Sequence, residues 1–107
     1  MKDRDKKIQE MQILEQSVHQ IIMQKQAFQM ELSETQAALK ELEKADDEVF
    51  KIIGQLMIKA KKSEIKDELL SKEKILKLRT ENLSKQEETL SKKMEEIRDK
   101  ILDTDKE

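Results

Sequence analysis

The groups with which this chain could do acid–base, nucleophilic or metal chemistry are few. It has no cysteine and one histidine, His19, so it offers neither a thiol nucleophile nor the donor cluster of a zinc site. Its 24 carboxylates are interspersed with 22 cationic side chains, for a net charge of −2. That pattern is a solvated helix surface, and no nucleophile, base and orienting group stand together as a catalytic set. No enzymatic activity, cofactor or metal is expected. Near-balanced charge also argues against a nucleic-acid partner held by bulk electrostatics. What remains is adhesion through apolar side chains and strand edges, and both concentrate in residues 46–62.

That stretch holds the only glycine of the chain, Gly54. Two apolar runs flank it, Val49 to Ile53 and Leu56 to Ala60, separated by Gly54-Gln55. A two-residue loop with glycine first predicts a type II′ turn and a tight antiparallel hairpin. Short apolar runs are ambiguous between strand and helix by periodicity alone. Here Val49, Ile52 and Ile53 are β-branched, and the acidic trio Asp46, Asp47 and Glu48 opposes the negative end of a preceding helix. By sequence parity one set of side chains is Phe50, Ile52, Leu56 and Ile58, the other Val49, Ile53 and Met57. A lone two-stranded hairpin is marginal in water, so one that is apolar on both faces is expected to pair with strands of other subunits.

The elements that position this hairpin are two helical arms, residues 1–45 and 63–107, within a single domain whose assembly element is residues 46–62. Charged residues make up 43% of the chain and aromatics 2%, too few large apolar groups for an ordinary globular core. The apolar residues instead recur at heptad spacing. The first arm carries Met11, Leu14, Val18, Ile21, Lys25, Phe28, Leu32, Thr35, Leu39 and Leu42; the second carries Leu69, Leu76, Leu83, Leu90 and Ile97 with Glu73, Thr80, Glu87, Met94 and Ile101. These are coiled-coil seams. Ser63 is the expected N-cap of the second arm, with Glu64 in its first turn. His19 and the methionines Met23 and Met30 fall outside the seam. No apolar run is long enough to span a bilayer and no signal-peptide pattern is present.

The expected fold is therefore mainly α: an antiparallel two-helix coiled-coil hairpin with a single β-hairpin at the connection. Two registers bring a positions of one arm against d positions of the other, Leu39 opposite Leu69 or Leu39 opposite Leu76. Both place Lys25 and Glu87 in neighbouring layers, so these two charged seam residues are expected to meet.

With the hairpin and arms in place, the chain resembles a known family. The run Val49-Phe50-Lys51-Ile52-Ile53-Gly54-Gln55-Leu56-Met57-Ile58-Lys59, an acidic cluster before it, and coiled coil on both sides are similar to the β-class subunits of prefoldin. Phe50 stands where the family usually has tyrosine. Ile65-Lys66-Asp67-Glu68-Leu69 and Ser84-Lys85-Gln86-Glu87 also resemble family stretches. An α-class subunit would carry two strand pairs, and residues 46–62 have room for one.

The resemblance implies a cytoplasmic, ATP-independent co-chaperone. Its strands would join an intersubunit β-barrel in a hexamer of two α-class and four β-class subunits, including other copies of itself. It would hold unfolded protein clients and deliver them to a group II chaperonin, with no membrane partner. Barrel assembly would fall to Val49, Phe50, Ile52, Ile53, Gly54, Leu56, Met57 and Ile58. Client binding is expected at the arm ends, on Ile8, Met11, Ile13, Leu14, Ile97, Ile101 and Leu102, where an apolar tip would be labile. The alternative from another class is a static coiled-coil tether that binds one folded partner.

Overall fold

The computed structural model describes residues 2–106, and the side chains of residues 2–103. The element order is α1 (Lys2–Lys44), β1 (Glu48–Ile53), β2 (Leu56–Lys61) and α2 (Lys62–Lys106). Both helices are free of glycine and proline and rich in Glu, Lys, Gln and Leu, which favour helix. The strands extend the expected runs by one residue each, to Glu48 and Lys61.

The two strands pair antiparallel, from Glu48 with Lys61 to Ile53 with Leu56. Gly54 has φ +60°, and no other described residue has positive φ. Positive φ at the first turn residue alone is the type II′ signature, as the Gly-first loop predicts. The pairing corrects the parity sets, however. Partners lie on the same face, and each even-numbered residue here is paired with an odd-numbered one. One face therefore carries Glu48, Phe50 and Ile52 with Met57, Lys59 and Lys61; the other carries Val49, Lys51 and Ile53 with Leu56, Ile58 and Ala60. Leu56 and Ile58 thus lie with Val49 and Ile53, and Met57 with Phe50 and Ile52. An even-length turn shifts the alternation between strands by one, which parity along the chain ignores.

The junction between helix and hairpin is built around Lys62. α1 stops at Lys44, and the Ala45 N–H donates to the Leu42 carbonyl at 3.1 Å, tightening the last turn. Carbonyls at a helix C-terminus lack intrahelical partners. The Lys62 ammonium donates to two carbonyls there, Glu43 (3.3 Å) and Ala45 (2.9 Å), and brings positive charge to the negative end of the dipole. Its own backbone N–H donates to the Asp47 carbonyl at 3.1 Å. α2 thus begins at Lys62 directly after β2, and Ser63 lies inside its first turn rather than capping it. The Lys62 N–H, one of the helix donors without an intrahelical partner, is tied across the junction to Asp47.

The contacts divide the chain into two compact units, Met1–Ala27 with Thr80–Glu107, and Phe28–Arg79. In the unit Phe28–Arg79 the heptad residues are covered as expected, with Leu42 and Leu76 buried. Thr35 is only 3% exposed, and its hydroxyl donates to the Glu31 carbonyl at 2.8 Å, which supplies the hydrogen bond a buried hydroxyl needs. Leu39, Leu42, Lys66 and Leu70 line one groove; Glu31 pairs with Lys72 at 3.8 Å; the Arg79 guanidinium lies 5.8 Å from the Phe28 ring centroid. Residue numbers fall on α1 as they rise on α2, so the helices are antiparallel. All three contacts fit Leu39 opposite Leu69 and not Leu39 opposite Leu76.

In the unit Met1–Ala27 with Thr80–Glu107, Ile21 and Leu83 are buried, and Met11, Leu14, Val18, Leu90, Met94, Ile97 and Ile101 are half-buried. The charged seam residues meet as expected, Lys25 Nζ lying 2.9 Å from Glu87 Oε2. Their side chains are 23% and 29% exposed, so water still screens the pair and its net contribution is small. Its use is specification, since either charge facing an apolar partner would be costly.

Two outcomes are expected. Nothing lies within 4 Å of a Cβ built on Gly54, so Gly54→Ala meets only backbone strain, about 1–3 kcal/mol of stability read from the shift of the denaturation midpoint. A D-alanine at the same position, which favours positive φ, should restore the wild-type midpoint. Lys25→Leu alone should destabilise by about 1 kcal/mol, whereas Lys25→Leu with Glu87→Leu should exceed wild-type stability, because it completes the apolar seam. A double variant less stable than both single variants would refute the assignment of this layer.

Candidate functional site

The hairpin is the largest concentration of exposed apolar surface in its unit. On the first face Phe50, Ile52 and Met57 are 60–70% exposed, flanked by the Lys59–Glu48 ion pair at 3.5 Å. On the second face the residues nearest the helices, Val49, Lys51 and Ala60, are half-buried, and Ile53, Leu56 and Ile58 are exposed. The Lys51 ammonium on this face lies 2.8 Å from Glu68 Oε2 of α2, in a solvent-exposed pair.

A two-stranded sheet also leaves the outer edge of each strand without ladder partners. Unpaired edges, apolar side chains on both faces and a central aromatic anchor are what strand addition between chains requires. All eight residues assigned to assembly lie together here, Gly54 serving the turn and the other seven the faces.

The seven residues expected at the arm ends all fall in the unit Met1–Ala27 with Thr80–Glu107, but they divide into two groups. Met11, Leu14, Ile97 and Ile101 are half-buried and close the seam. Ile8, Ile13 and Leu102 are exposed, Ile13 and Leu102 by more than half. Met23 and Met30 also face outward, and His19 is exposed beside Gln12, Glu15, Gln16 and Gln20.

Sequence reasoning missed one apolar surface. Leu70, Ile75 and Leu78 of α2 are each more than two-fifths exposed. At 100° per residue they fall within one stripe about 140° wide, adjacent to the seam. Ile75 lines a groove with Glu31, Ser71, Lys72 and Arg79. The stripe is readable from a helical wheel, but the leucine heptad beside it dominates the periodicity. Among the described residues no helix is long and apolar enough to cross a membrane.

Comparison with known proteins places this geometry. A family model described as "Prefoldin subunit" matches residues 5–103. The prefoldin subunit beta of Archaeoglobus fulgidus is 33% identical over 96 residues, covering 88% of this chain and 83% of that protein. That of Thermococcus onnurineus is 36% identical over 89 residues, covering 81% and 77%. Among solved structures, the crystal structure of the prefoldin beta subunit from Thermococcus strain KS-1 superposes with a TM-score of 0.87 at 30% identity, over 95% of this chain and 91% of that one. In this fold the barrel forms between subunits, which accounts for a hairpin that its own chain leaves uncovered. With the family model spanning nearly the whole chain and the same helix–hairpin–helix order, the chain belongs to the prefoldin family as a β-type subunit, a chaperone component and not an enzyme.

Proposed function

We propose that the chain is a cytoplasmic, ATP-independent holdase subunit. It assembles through its hairpin with α-class prefoldin subunits and further copies of itself, two α to four β, and holds non-native polypeptides for delivery to a group II chaperonin. The observation that carries the assembly half is the hairpin, apolar on both faces and open at both edges. Burying Phe50, Ile52, Met57, Leu56 and Ile58 in a shared barrel is favourable by roughly 1.5–3 kcal/mol per side chain before the cost of association.

The client-holding half rests on Ile8, Ile13 and Leu102. They stay exposed while Met11, Leu14, Ile97 and Ile101 close the seam beneath them. Terminal helical turns lack part of their hydrogen bonding, so this seam opens more readily than one held at both ends. A few exposed apolar groups in a polar surround bind apolar segments weakly. Several such sites on one particle add avidity, and release then needs no nucleotide because each contact is individually weak.

Two experiments separate the halves. Ile53→Asp with Leu56→Asp puts charge on the second hairpin face and should give smaller particles in analytical ultracentrifugation, with helical far-UV signal retained. Normal assembly of that variant would remove the hairpin from the interface. Ile8→Ser, Ile13→Ser and Leu102→Ser together should leave particle size and melting unchanged, while suppression of aggregation of chemically denatured proteins falls several-fold. Undiminished suppression would place client binding elsewhere, and a chain that suppresses nothing but captures one folded protein would be a tether.

A further inference from the structure

The outer surface of α1 in the unit Met1–Ala27 with Thr80–Glu107 departs from the rest of the chain. Charged residues make up 43% of the protein, yet between Met11 and Ala27 only Glu15 and Lys25 carry a formal charge, and Lys25 is engaged with Glu87 in the seam. Elsewhere the solvated helix faces are built from Glu and Lys, as on α2. Here five of the exposed positions are glutamines, among Ile13, Glu15, His19, Ile22, Met23 and Ala27. Gln12, Gln16, Gln20 and Gln24 recur every four residues and all are exposed, so they form one continuous ridge. The first three line a shallow groove with Glu15 and His19. Ile13 and Met23, 62% and 56% exposed, stand one turn from Gln16 and Gln20.

We propose that the Gln12–Gln16–Gln20–Gln24 ridge reads the main chain of an extended, uncharged segment of non-native polypeptide, with Ile13 and Met23 taking its apolar side chains. The inference rests on the holdase reading and names the chemistry of capture. A glutamine carboxamide presents the hydrogen-bonding groups of a peptide unit, an N–H donor and a carbonyl acceptor. Side chains four apart on a helix repeat about every 6 Å along its axis. Along one edge of an extended chain the N–H and C=O groups repeat every two residues, about 6.7 Å. The ridge is inclined, turning about 40° around the helix at each step, so the extended chain follows it obliquely. Along the axis the mismatch over three intervals is about 2 Å, within the reach of a side chain with three rotatable bonds.

Reading the backbone is independent of client sequence, as a holdase requires. With Glu15 the one formal charge in the groove, an apolar segment desolvates mainly neutral amides on docking. Each exchange of water for a carboxamide contributes little by itself, so the grip remains reversible. The thioether of Met23 adapts to side chains of different shape.

The test uses the full-length chain assembled with its prefoldin partner subunits. The probe is a fluorescein-labelled, uncharged peptide of valine, threonine and serine, compared with the same peptide N-methylated at alternate residues, and binding is followed by anisotropy. The variant is Gln12→Ala, Gln16→Ala, Gln20→Ala and Gln24→Ala. Alanine is the better helix former and the more apolar residue, so purely hydrophobic capture would be unchanged or tighter. Main-chain reading requires the opposite: peptide affinity about tenfold weaker in the variant. N-methylation should weaken wild-type binding comparably and make no difference to the variant. A variant that binds the peptide as tightly as wild type, or a wild type indifferent to N-methylation, overturns the proposal while aggregation suppression by wild type keeps the holdase reading. Wild-type protein that neither binds the peptide nor suppresses aggregation overturns both.

Discussion

The positive φ of Gly54 sets the phase of the elements around it. A two-residue turn of this type admits one pairing of the strands, Ile53 against Leu56, and every later pair follows from it. That pairing decides which apolar residues share a face, and so what a second chain meets on approaching the hairpin. The same phase carries into the first turns of the helices through Lys62, whose backbone and ammonium tie Asp47, Glu43 and Ala45 to the start of α2. Leu39 then falls opposite Leu69 because the junction leaves little slack.

Two kinds of apolar surface follow from this arrangement, and they differ in permanence. Seam residues such as Leu42, Leu76, Ile21 and Leu83 find partners within the chain and are satisfied there. Hairpin residues do not, since a two-stranded sheet has too few neighbours to cover both faces. A chain built this way is stable as part of an assembly, and its membership of the prefoldin family agrees with that. The seam is also imperfect by design. Thr35 satisfies its own hydroxyl within α1, and Lys25 and Glu87 satisfy each other, so neither polar layer leaves an unpaired group.

What the chain can do chemically is correspondingly narrow and is distributed over surfaces. The hairpin offers backbone edges and apolar faces to other strands. Ile8, Ile13 and Leu102 offer small apolar contacts in a polar surround, and the glutamine ridge of α1 offers neutral amides. Each contact is weak alone, as the proposed holding and nucleotide-free release require.

Periodicity belongs to single elements, and so the sequence alone was enough for the seams, the hairpin, its glycine-first turn and the meeting of Lys25 with Glu87. Each depends on spacing within one helix or one loop, or on a coincidence that both possible registers share. Relations between elements were different, because they depend on the phase at the junctions, which residues 45–47 set through contacts no local pattern encodes. Only the tertiary structure placed Leu56 and Ile58 beside Val49 and Ile53, chose Leu39–Leu69 over Leu39–Leu76, began α2 at Lys62 rather than after a Ser63 cap, and set the Lys62 ammonium on the end of α1. It likewise exposed Leu70, Ile75 and Leu78, since a helix has more apolar residues than one seam can cover, and which of them the neighbouring helix leaves bare is decided by its position.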